Sequence, residues 1–289
     1  MNLKGIFQYK SSSSKLFLFV LIVFIFTIIG SLMCAVLDVN NLNQLKIAQL
    51  IMSVFIFIIP PLLFTYLSDN TLYKSLGFKR NIKRQNALLV FLMILFIQPF
   101  VAYSIHLNTG FLHFISEWIP SIINSLEQME SHAEEITKTF LQMDTISDLL
   151  FNLFLIALIP AIGEEMFFRG VIQKKLQLII TNPHIAIFIS AFIFSAIHMQ
   201  FFGLLPRFVL GIILGYLFYY SANLWMSVLA HFINNALGVL LMYSAFANKL
   251  NPDIVNIKNT EITFIQAFFS VSVVLFFIYL YKQINNKKS

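Results

Sequence analysis

ISDLLFNLFLIALIPAIGEEMFFRG, residues 146–170, carries one charge, Asp148, in its first 17 positions and then three, Glu164, Glu165 and Arg169, in the next seven. An apolar run of that length reads as a membrane-spanning helix. The three charges therefore fall where the helix is still inside the bilayer. Ionisable side chains at that depth face a protein interior or a water-filled cavity and mark function. Glu165 and Arg169 are four apart, share a helix face and can pair. Glu164 is rotated by about 100° and looks toward another neighbour. The pair reads as structural, and Glu164 as the carboxylate left for chemistry.

Composition sets the class. The chain has 289 residues, 58% of them hydrophobic and 11% charged, with a mean hydropathy of +0.82. A soluble domain carries about 25% charged residues. This is a polytopic all-α membrane protein, and its 33 Phe read as lipid-facing bulk. One cysteine, Cys34, excludes an internal disulfide and a cysteine-based zinc site. The net charge of +6 does not imply nucleic acid, because the basic residues cluster between apolar segments as topology signals.

Eight spans are expected: Leu16–Leu37, Ile47–Leu67 with Pro60-Pro61 inside it, Ala87–Leu107, Asp148–Leu178, His184–Met199, Pro206–Tyr220, Leu224–Ala247 and Ile262–Lys282. They divide the chain into three N-terminal helices over 1–107, an acidic outer segment over 108–147, a core over 148–247, and a last helix with a basic tail over 248–289. In the acidic segment Ile122, Leu126, Met129, Ala133, Ile136, Phe140 and Met143 recur in steps of four and three, the stripe of an amphipathic helix. His106, His113 and His132 in or beside it read as surface residues. With both termini inside, 14 of the 19 Lys and Arg lie on or toward the cytoplasm; Lys46, Lys138, Arg207, Lys249 and Lys258 do not. Gly211 and Gly215 form a G-x-x-x-G face for close helix packing.

Two more polar clusters interrupt the core. His198 ends FIFSAIH, and HFINN places His231 and Asn235 four apart on one helix face, with Asn234 beside them. At the rise of an α-helix, Glu164, His198 and His231 lie roughly 14, 15–20 and 11–12 Å from the cytoplasmic ends of their spans. A common site in the cytoplasmic half of the membrane is geometrically allowed.

GEEMFFRG (163–170), FSAIH (194–198) and HFINN (231–235) resemble the EExxxR, FxxxH and HxxxN motifs of the CAAX protease and bacteriocin-processing (CPBP) family of intramembrane endopeptidases. The resemblance covers about Asp148–Ala247, and implies a four-helix catalytic core. It implies that Glu164 and His198 activate water, that His231 and Asn235 stabilise the oxyanion, and that Glu165 with Arg169 holds the site together. The implied partners are membrane lipids and a peptide or protein substrate, CAAX-like, lipid-anchored or a peptide precursor. The implied location is a bacterial cytoplasmic membrane. The family is often labelled a metalloprotease, and zinc on Glu164, His198 and His231 is the alternative to a metal-free glutamate mechanism; no HExxH is present. A non-catalytic bacteriocin-immunity or scaffold protein, or a transporter, would also place such residues in the membrane, although a transporter often shows paired broken helices.

Charge asymmetry gives a direct test of orientation. Reporters fused after Asn81 and at Ser289 are expected inside, and one within Glu127–Glu135 outside; an outside signal at Asn81 overturns the map.

Overall fold

The computed structural model describes residues 3–38, 40–69, 71–79, 81–248 and 261–286. Arg80, Lys249, Lys258, Lys287 and Lys288 lie outside the described residues. All regular structure among the described residues is helical: α1 (Ser12–Cys34), α2 (Leu42–Ser68), α3 (Arg84–Ser116), α4 (Pro120–Phe140), α5 (Ile146–Ile179), α6 (Pro183–Ala196), α7 (Leu204–Ser221), α8 (Leu224–Ala247) and α9 (Phe264–Asn286), with a short turn of helix at Leu72–Leu76. Among the described residues seven helices are long and apolar enough to cross a membrane, and α6 is a shorter apolar helix. The fifth span read from the sequence, His184–Met199, is thus a helix of only 14 residues, Pro183–Ala196, about 21 Å at the α-helical rise. It ends at Ala196 because Met199 takes a positive φ of 54°, which a continuing helix cannot accommodate. His198 accordingly stands in the turn beyond the helix, not on it.

Prolines shape two helices that pack on each other, α2 and α5. Pro160 and the pair Pro60-Pro61 have no N–H to give, and their rings crowd the carbonyl four residues back. In each helix the preceding turn widens to π geometry, over Val54–Ile58 in α2 and Leu153–Leu158 in α5, a known accommodation within membrane helices. At Gly163 a Cβ would come within 3.0 Å of Phe57 and Ile58, so its absence lets α5 pack on the widened segment of α2. A third π stretch, Met166–Gln173, begins immediately after Glu165.

Helices α1 and α2 form a hairpin whose open end is tied by Lys15 Nζ, which donates to Ser68 O at 3.3 Å. Phe167 of α5 enters that hairpin, with its ring 5.0 Å from Phe19 and 5.3 Å from Phe57. α9 packs on α3, α6 on α7, and α8 against α5, α3 and α7. Phe17, Phe24, Phe268 and Phe269 remain exposed on the outer surfaces of these helices, as lipid-facing bulk would. α3 extends nine residues past the Leu107 boundary read from the sequence, so the acidic segment begins within it. The buried face of α4 also differs from the predicted stripe. Ile123 is 1% exposed whereas Ile122 and Met129 are 53% and 41% exposed, because Ile123 and Leu126 pack on Leu112 and Phe202.

α6 and α7 meet across the G-x-x-x-G face. A Cβ on Gly211 would lie 3.0 Å from the Ala191 Cβ, and one on Gly215 2.7 Å from Ile187. Gly211→Val should therefore overpack this contact, at a cost of about 1–3 kcal/mol. Gly110, with nothing within 4 Å of its Cβ direction, is the control. Thermal unfolding in detergent should show a lower midpoint for Gly211→Val, and an equal or higher one for Gly110→Ala.

Candidate active site

The site starts from one turn of α5. Adjacent residues there point in different directions, so Glu164 and Glu165 acquire different surroundings. Glu165 Oε1 accepts from Arg169 Nη1 at 2.7 Å and from His231 Nδ1 at 2.9 Å. All three side chains are buried, at 0%, 1% and 4% exposure. The guanidinium also donates from Nη2 to Gly211 O at 3.0 Å and stands 4.8 Å from the centre of the Phe194 ring. Gln173, one turn on, repeats the reach by donating to Gly215 O at 3.1 Å. The four-residue spacing of Arg169 and Gln173 thus matches that of Gly211 and Gly215, whose bare backbones leave these carbonyls accessible. That matched spacing was the sequence signal for Gln173, which the motif reading passed over.

Glu164 faces the other way. Its Oε2 is buried and makes no hydrogen bond within the protein. It lies 4.0 Å from His198 Nε2 and 3.9 Å from His231 Nε2. Both rings are oriented from their far nitrogens. His198 Nδ1 is 2.8 Å from Phe194 O, and a carbonyl only accepts, so Nδ1 carries the proton and Nε2 presents a lone pair toward Glu164. Glu165 likewise takes the Nδ1 proton of His231. The Phe194 ring packs edge-on against both imidazoles, with centroids 5.2 and 5.8 Å away.

The turn that carries His198 is fastened from several sides. Asn108 of α3 donates from Nδ2 to Phe201 O at 2.8 Å and accepts from Leu205 N at 3.2 Å. Ser195 Oγ donates to Leu204 O, and Arg207 donates to Gln200 O at 2.9 Å and to Gln200 Oε1. Irregular backbone at membrane depth is tolerated where it is buried in protein and its polar groups are satisfied. Sequence reasoning singled out none of these holding residues, since Asn108 is 90 positions from His198.

Asn235 stands apart from the Glu164 group. Its Nδ2 donates to Ile156 O at 3.3 Å, the carbonyl four residues before Pro160. Asn234, Gln98, Gln200, Arg207 and Asn235 line a cavity of about 750 Å³ that also meets Leu241 and Leu141. Asn234 is joined to Gln98 at 3.3 Å. Of the histidines read as surface residues, His106 and His113 line a separate outer cavity opposite Glu127, Glu130 and Glu134, a convergence the sequence did not reveal; His132 is exposed.

Among the described residues no group of three or more His, Cys, Asp and Glu side chains is gathered closely enough to hold a metal ion. Glu164, His198 and His231 are the donors whose chemistry suits zinc, but the histidine nitrogens stand at 3.9 and 4.0 Å from the carboxylate.

Residues 146–237 match the family model described as type II CAAX prenyl endopeptidase Rce1-like. Over this segment the chain is similar to that family. The matched stretch contains all six motif residues, from Glu164 to Asn235. The chain is also similar to the uncharacterized protein YpbD of Bacillus subtilis (strain 168), at 29% identity over 89 residues. That alignment covers 29% of this chain and 42% of YpbD, so the chain spans less than half the length of this curated relative. No solved structure matches. The Rce1-like core is thus a segment of an integral membrane protein whose α1–α3, α4 and α9 lie outside the match.

Loss of the Glu165 charge strands both Arg169 and His231. Breaking a buried pair by removing one partner costs about 3–5 kcal/mol. Glu165→Gln should lower the thermal midpoint in detergent well below that of Glu164→Gln, and equal midpoints would show that the Rce1-like core does not depend on this carboxylate.

Proposed function

We propose that the protein is an intramembrane endopeptidase that hydrolyses peptide bonds of membrane-associated substrates with a water activated by Glu164 and His198. The observation that carries this reading is the convergence of the His198 and His231 Nε2 atoms on Glu164 Oε2, within 4.0 Å, beside a cavity lined by Asn235. Two acceptors at that separation suit one water oxygen at about 2.8 Å from each. The water would give one O–H to the carboxylate and the other to the His198 lone pair, leaving an oxygen lone pair for the substrate.

The reaction then follows from the positions of the donors. The water oxygen attacks the scissile carbonyl carbon as its proton passes to Glu164. The carbonyl oxygen becomes an oxyanion, and Asn235 Nδ2 and the Nε2–H of a His231 that has taken a proton from solvent before the attack are its stabilising donors. Glu165 accepts the Nδ1 proton of His231 and is itself held by Arg169, so the ring is oriented toward the reacting centre. Collapse of the tetrahedral carbon breaks the C–N bond, and Glu164 returns its proton to the leaving amine. Glu165 therefore does more than fix helix packing: it orients His231, a role beyond the ion pair read from the sequence.

The family described for the matched segment supports a CAAX-type substrate, and the bilayer setting supports one that is itself membrane-associated. The charge asymmetry of the sequence supports both termini inside, and the family resemblance supports a bacterial cytoplasmic membrane. If zinc is used, Glu164, His198 and His231 would hold it, and it would polarise water and carbonyl as a Lewis acid.

Comparing peptides from membranes with and without the protein should identify the substrate. With it, Glu164→Gln should lower hydrolysis by at least about 10²-fold with the protein folded. Asn235→Ala should lower kcat more than KM, by roughly 10²–10³-fold. Activity should survive thorough chelation; loss restored only by zinc moves the three side chains into ligand roles. Cleavage at the parental rate by both Glu164→Gln and Glu165→Gln would mean that the reaction is elsewhere.

A further inference from the structure

The cavity beside Asn235 contains a cation that the proposed hydrolysis does not use. Arg207 is a half-buried arginine at the start of α7, and its situation is the opposite of that of Arg169. Arg169 is matched by the Glu165 carboxylate. Arg207 bonds only neutral oxygens, the backbone carbonyl and side-chain Oε1 of Gln200, and among the described residues no carboxylate forms an ion pair with it. Its electrostatic neighbours are Glu164 and His198 on the site side and Glu130 of α4 on the outer side.

A guanidinium has five N–H donors in a planar fork, and Gln200 takes two of them. Gly203 leaves room for the head group, since a Cβ there would lie 2.7–3.0 Å from its three terminal atoms. Glu130 and Glu164 act on this charge only from beyond ion-pair distance, and a positive charge at membrane depth with no carboxylate in direct contact is costly. Gln200, Gln98, Asn234 and Asn235 surround the same cavity with neutral polar groups, which orient a ligand but do not neutralise a cation. The arrangement is that of a bidentate carboxylate receptor awaiting its anion.

We propose that Arg207 anchors a carboxylate of the peptide that occupies this cavity, and so sets where cleavage falls relative to that charge. That the occupant is a peptide rests on the protease reading; the anion site does not. The carboxylate has two sources, the free C-terminus of the peptide or an Asp or Glu side chain near the scissile bond. Either would be held on the Asn235 side of the site, with the scissile carbonyl reaching toward Glu164.

The test is binding rather than turnover, so failure of the protease reading leaves it intact. Three dye-labelled peptides share one apolar six-residue sequence. One ends in a free carboxylate, one in a carboxamide, and one in a carboxamide with Glu as its last residue. Their affinities are measured by fluorescence anisotropy on detergent-purified full-length protein carrying Glu164→Gln, which prevents consumption of the probe. The free acid should bind at least about tenfold more tightly than the amide, the scale of a charge-assisted pair. If the Glu-amide peptide matches the free acid, a side-chain carboxylate also serves; if it matches the plain amide, the receptor is for a C-terminus. Equal affinity for all three, or binding of none, overturns the assignment without any Arg207 variant. Arg207→Gln should erase the acid–amide difference and Arg207→Lys should keep part of it. A folded Arg207→Gln protein that retains the full preference would reduce Arg207 to a staple of the α6–α7 turn.

Discussion

One carboxylate oxygen, Glu165 Oε1, accepts from both the Arg169 guanidinium and the His231 imidazole, and the rest of the core is arranged around it. Burying a carboxylate and a guanidinium is expensive, and such a pair is weak evidence of stability by itself. Its value here is positional. Arg169 continues to the Gly211 carbonyl, so one charge sets the relation of α5, α7 and α8. The Gly211 and Gly215 contacts with α6 then bring Phe194 and, beyond it, His198 to the same place.

The helices that hold this cluster depart from ideal geometry where the site needs it. π turns precede Pro60 and Pro160, and another follows Glu165. Such turns recur at functional sites because they shift the register of side chains around the helix. The short α6 serves the same end. By stopping at Ala196 it leaves His198 in a turn, where Asn108, Ser195 and Arg207 satisfy the exposed backbone groups. The cost of irregular backbone inside a bilayer is met by these side chains.

The two neighbouring glutamates thus divide the work. Glu165 accepts from Arg169 and His231 through Oε1, whereas Glu164 Oε2 accepts no hydrogen bond within the protein and faces two imidazole nitrogens. The Glu164 and His198 side chains keep 11% and 29% exposure, against 4% for His231, so the approach to the cluster is from the His198 side. The neighbouring cavity adds neutral amides and the Arg207 charge.

The sequence by itself determined the all-helical membrane class, because apolar runs near 20 residues have few other destinations. It also determined that the two glutamates face different surroundings, since adjacent helical positions must diverge by about 100°, and the packing face of Gly211 and Gly215. Local periodicity reaches only as far as a helix turn. It carries no record of which turn of a distant helix lies opposite, so the bond from Glu165 to His231, the clamp of Asn108 on the His198 turn, the phase of α4 and the meeting of His106 and His113 with α4 carboxylates were decided by tertiary packing. Arg207 shows the limit most clearly. In the sequence it is one more basic residue near a helix end. Only the folded chain places it against a cavity, bonded to Gln200 with no carboxylate paired to it, because burial and partnership are properties of the assembled helices and not of any one of them.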